Sequence, residues 1–248
     1  MHTRPMTRTA LAFLLVATLV PTAVLADQMA PPTEPTEKEL AACTKKKQAK
    51  ACLELGKRYL NGTDATKDPA KAVDFYKKAC DAKSPLGCGF AGTMVVNGEG
   101  TTKDEKAGYA LREKACKLGE GMSCNDLGTA WSENKNGATD VDHAKAKKFY
   151  AQACKLKDGL GCFNLGNIYR VGEGIAPDPK QAVVFFQKSC DIGAAKGCTE
   201  LGIIYYEGKV APKDVAKAIA LLERSCELGS EVGCKNVEIL KKAAAKQP

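Results

Sequence analysis

Apolar residues recur along most of the chain with the period of an α-helix that buries one face. Leu55 with Tyr59, Leu127 with Trp131, Leu165 with Tyr169 and Leu201 with Tyr205 each share such a face. Every one of these stretches follows a cysteine: CLELGKRYLNG, CGFAGTMVVNG, CNDLGTAWSEN, CFNLGNIYRVG and CTELGIIYYEG. Glycine closes four of the five, at Gly62, Gly98, Gly172 and Gly208, and glycine suits the left-handed residue that stops a helix. A second helix is predicted after each: DPAKAVDFYKKAC, DEKAGYALREKAC, DHAKAKKFYAQAC, DPKQAVVFFQKSC and DVAKAIALLERSC. Asp68, Asp104, Asp142, Asp178 and Asp214 stand at its start, where a carboxylate accepts an otherwise unpaired backbone N–H. Pro69 and Pro179 fit the first helical position, which has no N–H to lose.

This pattern is a repeat. Cys52, Cys88, Cys124, Cys162, Cys198 and Cys234 are spaced by 36, 36, 38, 36 and 36 residues. Self-similarity at that period means stacked units. The fold class is therefore all-α, an α/α solenoid of five helical hairpins. The units are 52–87, 88–123, 124–161, 162–197 and 198–233, with an N-terminal cap 37–51 and a C-terminal cap 234–248. Gly56, Gly92, Gly128, Gly166 and Gly202 occupy one repeat position inside the first helix. Glycine there costs about 1 kcal/mol against alanine, so the position needs a reason. Ala72, Gly108, Ala146, Ala182 and Ala218 lie in register on the second helix, and the expectation is that the two backbones meet there. The third unit departs from the pattern: Asn134 stands where glycine is found elsewhere, and two extra residues fall around Asn134 to Asp142.

The first 26 residues read differently. Arg4 and Arg8, an apolar run from Ala10 to Val20 and a final Val24-Leu25-Ala26 form a secretory signal, too short to span a membrane. Cleavage is expected after Ala26, leaving a mature chain without a membrane span in a secreted or periplasmic location. Residues 27–36, with Pro31, Pro32 and Pro35, are expected to form a disordered leader. Loss of Arg4 and Arg8 takes the formal net charge from +8 to +6. The basic residues do not cluster, and a single Trp offers no stacking platform, so nucleic acid is not an expected partner.

Twelve cysteines point to an oxidising compartment. No Cys-x2-Cys pair exists and His143 is the mature chain's one histidine, so neither a metal nor a cofactor is expected. His143 reads as a surface residue without a partner.

Leu-Gly-x-x-Tyr, then Gly, then Asp and a small-residue helix resembles the Sel1-like repeat. A cysteine at the end of one unit and the start of the next resembles the Helicobacter cysteine-rich proteins. A mitochondrial oxidase assembly factor is similar in layout, but the export signal argues against that compartment. Two regular pairings are open. Pairing within units would join Cys52–Cys80, Cys88–Cys116, Cys124–Cys154, Cys162–Cys190 and Cys198–Cys226, and would leave Cys43 and Cys234 at opposite ends of the array, beyond the roughly 7 Å a disulfide spans. Pairing across boundaries gives Cys43–Cys52, Cys80–Cys88, Cys116–Cys124, Cys154–Cys162, Cys190–Cys198 and Cys226–Cys234. It uses every cysteine, and the resemblance implies the same.

The resemblance also implies penicillin binding with slow β-lactamase activity. Ser132-Glu133-Asn134-Lys135 matches Ser-x-x-Lys, the nucleophile motif of such enzymes. Ser-Asp-Asn and Lys-Thr-Gly are missing, and Tyr59-Leu60-Asn61 belongs to the repeat. No catalytic residue is assigned. Similarity to tetratricopeptide hairpins implies instead a concave groove lined by the first helices. That groove would present Lys57, Asn61, Thr93, Asn97, Asn125, Thr129, Asn167, Arg170, Tyr206 and Glu207 to a peptide or protein, with a peptidoglycan fragment or a β-lactam as further candidate ligands. A weak β-lactamase is the alternative reading.

Overall fold

The computed structural model describes residues 34–63, 65–133 and 141–244. The expected signal sequence and cleavage site, Asn134 and Lys135 lie outside the described residues. Twelve helices are described: α1 (Glu37–Thr44), α2 (Ala49–Asn61), α3 (Pro69–Asp81), α4 (Pro85–Asn97), α5 (Glu105–Lys117), α6 (Gly121–Ser132), α7 (His143–Lys155), α8 (Gly159–Val171), α9 (Pro179–Ile192), α10 (Ala195–Glu207), α11 (Val215–Glu227) and α12 (Glu231–Ala244). Helices α2 to α11 form five hairpins, each a first and a second helix, with α1 and α12 at the ends.

Local chemistry sets the helix boundaries. Asp68, Asp104, Asp142, Asp178 and Asp214 each accept the backbone N–H three residues on, at 2.8–3.0 Å. At Asp142 this bond is the main reason its carboxyl is held below the usual range. Gly62, Gly98, Gly172 and Gly208 end the first helices in the left-handed conformation. Unit 3 has no glycine there, and α6 stops at Glu133 with a negative φ.

The first helices start about one turn before the repeat cysteine, so each unit begins in the turn that precedes it. Part of the expected leader belongs to the fold as well. Thr36 caps α1 in a reciprocal capping box with Glu39. Pro35 is buried, and Glu34 accepts the Tyr59 hydroxyl at 3.2 Å. Proline content gave a disorder signal here that capping and burial override at these last three positions.

Successive hairpins are sewn at their boundaries. The bridges are Cys43–Cys52, Cys80–Cys88, Cys116–Cys124, Cys154–Cys162, Cys190–Cys198 and Cys226–Cys234, with Cα atoms 4.4–4.8 Å apart, and no cysteine is free. Each joins the last turn of one helix to the first turns of the next. Most of these sulfurs are fully buried, so the bridges form part of the core as well as cross-linking it.

The interior of each hairpin corrects the expectation drawn from the small residues. A Cβ on Gly56, Gly128 or Gly166 would strike the ring of Tyr76, Tyr150 or Phe186, at 2.6, 2.5 and 2.7 Å. In these units glycine makes room for an aromatic side chain rather than for the opposite backbone. A Cβ on Gly202 would meet both the Leu222 side chain at 2.7 Å and the Ala218 carbonyl at 3.2 Å. Burial raises the Tyr76 hydroxyl pKa to about 12. Close backbone approach is reached in unit 2, where a Cβ on Gly92 would lie 2.9 Å from the Gly108 carbonyl and one on Gly108 2.8 Å from the Gly92 carbonyl.

Candidate functional site

The first helices form one layer of the array: α2 touches α4, α6 touches α8, α8 touches α10, and α10 touches α12. The residues expected in the groove all sit on these helices, but they are not equivalent. Asn61 and Asn97 are exposed at the ends of α2 and α4. Lys57 pairs with Glu54 at 3.2 Å, and Glu207 with Lys209 at 3.4 Å. The exposed Tyr206 ring has the Lys213 ammonium 5.2 Å from its centre.

Three candidates are occupied by the fold itself. Asn125 is buried, and its side-chain oxygen accepts the Asn164 amide at 2.8 Å, which ties α6 to α8. Thr129 donates to the Asn125 carbonyl or meets the Tyr150 hydroxyl, both at 3.2 Å. Thr93 donates to the Gly89 carbonyl and accepts from Arg112.

Asn167 and Arg170 are brought together. Arg170 Nη2 and Nε donate to Asn167 Oδ1 at 2.9 and 3.3 Å. The pair pre-orders the guanidinium, which stays exposed and keeps further N–H donors for an anion.

Sequence reasoning missed a polar lock between units 2 and 3. Arg112 stands where Tyr76, Tyr150, Phe186 and Leu222 stand in the other units. Its stem covers Gly92, and its guanidinium reaches Asp126 at 3.3 Å and Thr93 at 3.2 Å. The Arg112 side chain is only 12% exposed, and its Nε is buried without an acceptor among the described residues. Burial raises the pKa of Asp126 despite Arg112, with Glu120 and Asp158 adding to the rise. The available signal was the repeat register itself: an arginine at a position otherwise filled by rings and leucine.

Ser132 is described, whereas Lys135, the other half of its motif, is not. The Ser132 hydroxyl donates to the Thr129 carbonyl at 3.1 Å and lies 3.3 Å from the Tyr150 hydroxyl. His143 does have a neighbour, Glu173, at 3.7 Å across the boundary to unit 4. No helix among the described residues is long and apolar enough to cross a membrane. Six disulfides fit an oxidising, extracytoplasmic compartment.

Five stacked hairpins, joined at their boundaries by disulfides, define a helical repeat scaffold. The Sel1 repeat model matches residues 49–84, 87–120, 121–158, 159–193 and 195–230, and the chain belongs to that family. A Sel1 repeat protein from Oxalobacter formigenes is 25% identical, with a TM-score of 0.71 over 77% of each chain. A protective antigen of uropathogenic Escherichia coli is 22% identical with a TM-score of 0.67; the match covers 78% of this chain and 41% of the antigen. The cysteine-rich protein B of Helicobacter pylori is 31% identical over 54% of this chain and 94% of its own, with a TM-score of 0.45. No curated protein matches the chain.

Proposed function

We propose that the chain is an exported binding scaffold of the cysteine-rich Sel1 kind, cleaved after Ala26, that holds a peptide or protein ligand along its first-helix layer. The Arg170–Asn167 pair supports this most strongly. A pre-ordered guanidinium on an exposed helix end suits a carboxylate, and the Asn167 amide can meet an adjacent backbone group. Rigid presentation is what the disulfides add, since a fixed surface loses less entropy on binding. The described contacts of Ser132, with the Thr129 carbonyl and the Tyr150 hydroxyl, lend no support to a hydrolase.

The test begins by capturing partners from the extracytoplasmic fraction on the oxidised protein. The captured ligand is then titrated against wild type and against Asn167→Ala with Arg170→Ala. A loss of roughly 1–3 kcal/mol with an unchanged melting curve is expected, the range for hydrogen bonds to charged groups. Equal affinity in the folded double variant would refute the groove assignment.

A further inference from the structure

A cleft of about 350 Å³ opens between the second helices of units 2 and 3, α5 and α7, above α6. Three repeat positions meet at each junction between units. They are the fifth residue after the capping aspartate of one unit, and the seventh after the cysteine and the seventh after the aspartate of the next. At the junction of units 3 and 4 these are Lys147, Tyr169 and Phe185, with Lys147 4.7 Å from the centre of the Tyr169 ring and the two rings stacked at 5.3 Å. The junction of units 1 and 2 has Val73, Val95 and Leu111, and that of units 4 and 5 has Val183, Tyr205 and Leu221. All three positions are aromatic only between units 2 and 3, as Tyr109, Trp131 and Phe149. Each of these rings is only partly buried and lines the cleft.

The rim departs from the repeat in the same place. The positions of Lys106 and Lys148 read Ala70 and Ala110, Ala144 and Val184, or Lys180 and Ala220 at the other junctions. A lysine at both positions, one from α5 and one from α7, occurs only at this junction. Both are exposed, and neither forms an ion pair among the described residues. The Lys145 ammonium, paired with Asp142 at 3.2 Å, lies 4.0 Å from the centre of the Trp131 ring, a contact that the repeat also makes at Lys217 and Tyr205. The acid at the edge, Glu113, is already paired with Lys117 at 2.7 Å. Packing does not require this combination, because Val73, Val95 and Leu111 close the equivalent site between units 1 and 2.

We propose that this cleft binds a flat organic anion, with an aromatic or similarly planar body against the rings and a carboxylate between Lys106 and Lys148. The volume lies within the range of small-ligand sites. The rings provide apolar contact, and the ammonium groups of Lys106 and Lys148 select charge. Open ion pairs of this kind are screened by salt, so affinity falls as ionic strength rises.

Trp131 is the chain's one tryptophan, so its indole N–H gives a single nitrogen-15 correlated NMR signal that reports on the cleft. The oxidised protein is titrated with 2-naphthoate and, separately, with the neutral 2-naphthylmethanol. The indole signal is expected to shift saturably with naphthoate and to move much less with the alcohol. Lys106→Gln with Lys148→Gln, which keeps the fold, should weaken naphthoate binding about fivefold, the sum of two exposed ion pairs. A motionless indole signal, an equal response to the alcohol, or unchanged naphthoate affinity in the double variant would each overturn the proposal. The cleft is separate from the Arg170–Asn167 pair, so these outcomes leave the groove reading to its own test.

Discussion

Units 2 and 3 close the same helical hairpin in two chemically different ways. In unit 3 the glycine of the first helix admits the ring of Tyr150, which is buried and whose hydroxyl is met by Thr129 and Ser132. That plug is complete within the hairpin. In unit 2 both helices give up a Cβ, the backbones meet at Gly92 and Gly108, and the remaining space takes the stem of Arg112. A buried guanidinium needs an opposite charge, and Asp126 of unit 3 supplies it. The repeat position thus specifies volume, and the chemistry that fills it decides whether a unit is self-contained or depends on its neighbour.

The largest effect should erase this contrast, because both hairpins share the boundary disulfides. Each bridge closes a short loop and contributes roughly 2–3 kcal/mol on the chain-entropy model. Six together rival the net stability of an ordinary domain, about 5–15 kcal/mol. Full reduction is therefore expected to abolish cooperative melting, followed by circular dichroism. A sharp transition surviving in reductant would show that helix packing alone carries the fold.

Leucine substitutions probe the contrast directly. Gly128→Leu must displace the Tyr150 ring, whereas Gly108→Leu must displace the Gly92 carbonyl and the Val96 backbone nitrogen. Overpacking costs about 1–3 kcal/mol, and the backbone clash should fall at or above the upper end. Thermal melts of the two variants should rank Gly108→Leu as the less stable, and the reverse order would contradict the close approach in unit 2.

Arg112→Met separates volume from charge. The stem is kept, but Asp126 is left partly buried beside Glu120 and Asp158 without its cation. A loss of about 2 kcal/mol is expected at neutral pH, below the 3–5 kcal/mol of a fully buried pair because Asp126 keeps some solvent. The sign of the pH dependence follows from the raised pKa of Asp126, which rises further without Arg112. The folded state then holds that proton more tightly than the unfolded state does. The penalty is full above the folded pKa and shrinks as pH falls through it toward the unfolded value. Urea titrations over that range should show the variant approaching wild type in acid; a constant gap would place Asp126 outside the lock. The smallest effect is expected at Lys57→Ala, whose exposed pair with Glu54 should contribute under about 1 kcal/mol.

Much of this was legible in the sequence because it is repeated. Five capping aspartates and four closing glycines marked the helix boundaries, and the spacing of twelve cysteines led to the pairing across boundaries. Repetition also hid things. The glycines were matched to small residues in register, whereas three of the five face rings four residues further along the second helix, since a side chain reaches back over the preceding turn. Asn125 looked like a ligand-facing amide and is instead spent on Asn164, a contact between units that no single unit encodes. Arg112 and the cleft of Tyr109, Trp131 and Phe149 are departures from the repeat, visible only once the units are aligned against one another and the neighbouring unit is known.

Peptide mapping without reduction, on protein recovered from its natural compartment, tests the central claim most directly: an exported scaffold sewn at its unit boundaries. The expected map begins at Asp27, contains Cys80 joined to Cys88 and Cys226 joined to Cys234 with the other four boundary bridges, and has no free thiol. Cys52 joined to Cys80, or a full-length chain with reduced cysteines, would contradict it.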